Sequence, residues 1–80
     1  MLNTLKSVPF DDPEYHYFSP EDLAAMRHAY FTACMQRPKA VQTHSQRMTL
    51  AKAILVVFDS TLPESAMLDA AWLIVSEAYA

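Results

Sequence analysis

Nucleophilic, metal-binding and acid–base chemistry would each have to come from few side chains in this 80-residue sequence. Cys34 is the single thiol, and a reactive thiolate needs a base or a cation beside it. His28 precedes it by six positions, which is about 240° round a helix axis, so the two side chains face different ways. A Cys–His dyad would need His44, brought in from beyond Pro38. Cys34 instead shares a helical face with Met26 and Tyr30, where a buried thiol behaves as a small hydrophobe. His28 is expected to face solvent beside Glu21 and Thr32, with His44 in the linker or first turn that follows. His16, His28, Cys34 and His44 lie 12, 6 and 10 positions apart, with no C-x-x-C or H-x-x-x-H spacing, so no metal or other cofactor is expected. Asp11, Asp12 and Glu14, with Glu21 and Asp22, form the one acidic cluster. Calcium loops of the EF-hand type need a glycine at their sharp turn, and the chain has none. Paired carboxylates need a cleft for acid–base work, and a small helical domain offers little of one. No catalytic residue is assigned, and the chain is not expected to be an enzyme.

The charges fall in three blocks. Residues 1–22 carry net −4, residues 23–58 carry +5 with no acid, and residues 59–80 carry −4 with no base. The plain reading is that acidic flanks neutralise a basic middle, within one chain or across a dimer. The sharper one is a basic patch of Arg37, Lys39 and Arg47 that meets an acidic partner or nucleic acid. The formal net charge of −3 and the dilution of the basic residues weigh against nucleic acid. A helix-turn-helix is also disfavoured. The last helix would have to read base edges, yet it offers Glu64, Ser65, Asp69, Ser76 and Glu77 and no positive residue.

The elements that would position these side chains are helices. Without glycine, tight two-residue hairpins and phosphate-cradling loops lose their usual residue. Ser19 is a good N-cap, Pro20 suits the first helical position, and Phe18 and Leu23 stand at the two ends of a hydrophobic staple. Pro38 stops this first helix near Arg37. Thr43 and Gln46 read as the capping box of a second helix, whose end, Ile54 to Phe58, is apolar all round and is expected to be buried. Thr61 and Glu64, with Pro63 between them, read as the start of a third. The fold class expected is therefore all-α: a three-helix bundle over residues 19–80, with helices at about 20–36, 44–58 and 62–79. Pro9 and Pro13 break regular structure in residues 1–18, which are expected to form an extended arm that packs its aromatic rings on the bundle or on a neighbouring chain.

Composition gives the functional clue. Hydrophobic residues make up 52% of the chain and charged residues only 19%. A three-helix monomer hides one stripe per helix, yet Val56 and Leu73 fall among polar residues on the outer sides of their helices. Val56, Trp72, Leu73 and Tyr79 are the candidate interface anchors of a homodimer or of a contact with another protein. The runs Ile54–Phe58 and Ala70–Val75 are far shorter than a membrane span, and Met1 to Val8 hold no apolar run of signal-peptide length. With a lone thiol, a cytoplasmic protein that makes no membrane contact is expected.

Phe18-Ser19-Pro20-Glu21-Asp22-Leu23, Ala29-Tyr30-Phe31, Leu50-Ala51-Lys52-Ala53-Ile54-Leu55, and Asp59 before the last helix resemble the pattern of a loose group of short helical proteins of unknown function from α-proteobacteria. The resemblance implies a bacterial, cytoplasmic, helical protein and brings no catalytic residues with it. The function expected is a small adaptor or regulator acting through an apolar helix face, with a nucleic-acid-associated regulator as the alternative.

Overall fold

The computed structural model describes residues 18–78. Within them the protein is all-α: helix α1 (Pro20–Gln36), a 3-10 turn (Pro38–Val41), helix α2 (His44–Val57) and helix α3 (Glu64–Ala78), with no strand. The expected arm lies outside the described residues apart from Phe18.

Each helix start has a local cause. Ser19 is extended, and its Oγ accepts from the Asp22 N–H at 3.1 Å while Glu21 and Asp22 face the positive end of the helix. Phe18, just before the cap, packs against the core and meets the Phe58 ring edge-on at 6.4 Å. The helix ends where Pro38 forces Arg37 out of the helical region. At α2 both halves of the capping box form: Gln46 N–H donates to Thr43 Oγ1 at 3.1 Å, and Thr43 N–H donates to Gln46 Oε1 at 3.0 Å.

The start of α3 differs from expectation. The helix begins at Glu64, and the Pro63 carbonyl accepts its first bond, from Met67 N–H at 3.2 Å. Thr61 does not cap it. Its N–H and its hydroxyl both donate to Asp59 Oδ1, at 2.9 and 2.7 Å, so Asp59 holds the chain in a turn before the helix starts. The end of α2 is also less buried than its composition suggests. Ile54 is fully enclosed, Leu55, Val57 and Phe58 are half-buried, and Val56 is exposed, because only one side of the helix faces the core.

The core takes Met26, Ala29, Tyr30 and Ala33 from α1, Leu50, Ala51, Ala53 and Ile54 from α2, and Met67, Leu68, Ala71, Trp72 and Val75 from α3. Five of these thirteen are alanines, small side chains that let the helix backbones approach one another. The α2–α3 pair makes the most extensive contact, as its short connection requires. Two side-chain bonds then fix α1 against α3. His28, midway along α1, meets Glu64 at the start of α3, and Gln36 meets Trp72 eight residues further along both helices. Equal steps of about 12 Å on each helix mean that α1 and α3 run parallel, with α2 antiparallel to both.

Candidate functional site

Three of the five basic residues of the middle segment gather at one end of the bundle, while Arg27 and Lys52 lie within α1 and α2. Arg37 closes α1, Lys39 stands exposed on the 3-10 turn, and Arg47 lies in the first turn of α2. Two of the three are engaged by their own chain. Arg47 Nη1 donates to the carbonyl oxygens of Val41 and Gln42, both at 3.1 Å, and so ties the linker to α2. The Arg37 guanidinium lies 4.8 Å above the Trp72 ring. Trp72 Nε1 donates to Gln36 Oε1 at 3.3 Å, so the end of α1 covers the indole from two sides. Two shallow adjoining cavities of about 270 and 200 Å³ border this group, and Arg37, Trp72 and Ser76 line both.

The candidate anchors separate. Val56 (74% exposed) and Leu73 (63%) are open to solvent. Trp72 is only 6% exposed, because its position on α3 faces the core alongside Leu68, Ala71 and Val75. The indole is a packing residue with little surface to offer a partner. Tyr79 lies outside the described residues. Met35 (75%) and Phe31 (48%) are exposed as well. Their signal was present, since an i, i+4 pair shares one helix face, and this pair lies outside the stripe of Met26, Tyr30 and Ala33.

Tyr30 and Cys34 are held in their protonated forms. Tyr30 and Cys34 lie one turn apart and share a hydrogen bond. Burial, the proximity of Cys34 and that hydrogen bond push the Tyr30 phenol up to about 12. Burial also raises the Cys34 thiol above its ordinary value, against the smaller opposing effects of Tyr30 and Arg47. The thiol is therefore protonated at neutral pH, the reverse of what a nucleophile needs. His28 faces solvent as expected, and its Nδ1 lies 2.5 Å from Glu64 Oε2 at the start of α3.

The opposite end of the bundle is acidic. Glu21 and Asp22 at the start of α1, Asp59 after α2 and Glu64 at the start of α3 surround a cavity of about 390 Å³, with Phe58, Leu62 and Met67 as its apolar lining. Among the described residues no three His, Cys, Asp or Glu side chains come together as a metal-ion site, and no helix is long and apolar enough to cross a membrane. Comparisons with protein-family models, curated proteins and solved structures return no match.

Proposed function

We propose that this chain is a non-enzymatic protein-interaction module, a small cytoplasmic adaptor or regulator that works as a homodimer through exposed apolar side chains on its helices. The observation that carries this reading is the exposure of Val56, Leu73 and Met35 on helices whose opposite faces already supply a complete core. Large apolar side chains that the fold leaves in water gain free energy when a second chain covers them. The nucleic-acid reading is weaker, because Arg47 is committed to backbone carbonyls and Arg37 to the Trp72 face.

Light scattering tests the proposal. The parent chain is expected at twice its monomer mass, with little change as salt rises. The double substitution Val56→Ser with Leu73→Ser is expected to halve the mass while the circular dichroism stays helical. A parent chain without a salt-insensitive dimer, or a dimer that survives the double substitution, overturns the helix-face reading.

A further inference from the structure

One side of the bundle lies away from α3. His28 and Gln36 turn one face of α1 toward α3, and Gln46 of α2 shares a cavity with Trp72 and Val75 of α3. On the other side α1 and α2 meet directly. Phe18 touches Phe58 at one level, and at the next Tyr30 and Cys34 lie close enough to Arg47 to feel its charge. Between these levels runs a shoulder. Leu23, Arg27 and Phe31 form its α1 side, one ridge at i, i+4 spacing, and Met48, Lys52 and Leu55 form its α2 side. Leu23, Met48 and Leu55 are half-buried, Lys52 is exposed, and the Phe31 ring meets the Tyr30 ring edge-on at 5.5 Å. The shoulder is therefore apolar with two cations on it. Residues 23–58 hold no acid to face them. Glu21, Asp22, Asp59 and Glu64 border the cavity on the α3 side, and Asp69 borders the one beside Arg37.

Such a surface fits an acidic, aromatic peptide, and residues 10–17 are one. They carry Asp11, Asp12 and Glu14, no Lys or Arg, and the rings of Phe10, Tyr15 and Tyr17. They also arrive at the right place, because they lead directly into Phe18, which packs on Phe58 and the core at one end of the shoulder. The lengths agree. Arg27 stands nine residues after Phe18, about 13 Å along α1, and Lys52 six residues before Phe58, about 9 Å along α2. An extended chain covers up to about 3.3–3.6 Å per residue, so Glu14, four residues before Phe18, reaches the level of Arg27, and Asp12, six before, has length to spare for Lys52. We propose that residues 10–17 bind along the α1–α2 shoulder of their own chain, with Glu14 beside Arg27, Asp12 beside Lys52 and the Tyr15 ring over Leu55. The contact uses neither Val56 nor Leu73 and does not depend on the helix-face dimer.

Disulfide trapping in the full chain tests it, with Cys34→Ser present so that only introduced thiols react. Tyr15→Cys with Leu55→Cys is expected to close a disulfide, because the two backbones come within bridging distance. Tyr15→Cys with Ala66→Cys, whose second thiol stands exposed on α3, should close far more slowly. Mass measured under denaturing, non-reducing conditions should be that of one chain. Lys52→Glu alone and Asp12→Lys alone should each slow closure about two- to fivefold, and the two together should restore it. The same two charge reversals in the chain without new cysteines should each lower the denaturation midpoint, with the pair recovering it, so the test does not depend on the half-buried Leu55 position. A disulfide that joins two chains, closure to Leu55→Cys no faster than to Ala66→Cys, or charge reversals that leave both closure and midpoint unchanged overturns the proposal.

Discussion

Tyr30 is 4% exposed, and its phenol is held at about 12 against an ordinary value of 10.0. The unfolded chain gives up this proton first, so it binds fewer protons than the folded chain between those two values. The contribution is fully present below pH 10 and is lost as pH rises through about 12. Denaturant midpoints measured across that window are expected to fall more steeply in the parent than in Tyr30→Phe, which has no proton to lose. At this scale the sequence was legible where a side chain's role follows from its position on a wheel: Cys34 beside Tyr30, and Val56 and Leu73 on outer faces. It was less legible where a role depends on reach. Arg47 stretches back to carbonyls five and six residues earlier, and Arg37 lies over an indole 35 positions away, so neither contact follows from charge or spacing. Trp72 reads as an anchor from its residue type, yet it is only 6% exposed, because tryptophan serves both cores and interfaces and residue type alone does not separate the two.

Among the elements, the first two helix starts were readable because capping is local chemistry, confined to a few consecutive residues. Ser19→Ala removes one bond at the start of α1 and is expected to cost about 1 kcal/mol. Thr43→Ala removes one half of the reciprocal box at α2 and is expected to cost a similar amount, about 0.5–2 kcal/mol. Chemical denaturation checks both, and an unchanged slope of the transition would show that the folded and unfolded states are otherwise the same. The third start escaped because two local motifs competed for Thr61. The spacing to Glu64 suggested a box, but Asp59, two residues earlier, took both donors of Thr61. A turn closed by a neighbouring carboxylate needs only a two-residue separation, so it satisfies Thr61 before the helix begins.

For the whole molecule, the all-α bundle follows from three apolar stripes and two short connections, whereas the parallel course of α1 and α3 required the His28–Glu64 and Gln36–Trp72 contacts. Ile54 sits at full burial on α2, the helix that lies antiparallel to both others. Ile54→Ala is expected to cost about 2–5 kcal/mol, a large part of the roughly 5–15 kcal/mol that holds a small domain together. Its thermal midpoint should therefore drop far more than that of either capping variant. The backbone has a further consequence at this scale. The chain holds five prolines and no glycine, and no described residue has a positive φ. Every described turn is therefore made with backbone angles that any L-amino acid tolerates, and the denatured ensemble is narrower than that of a glycine-bearing chain of equal length. Folding this chain gives up less conformational freedom, which offsets part of the disadvantage of so small a core.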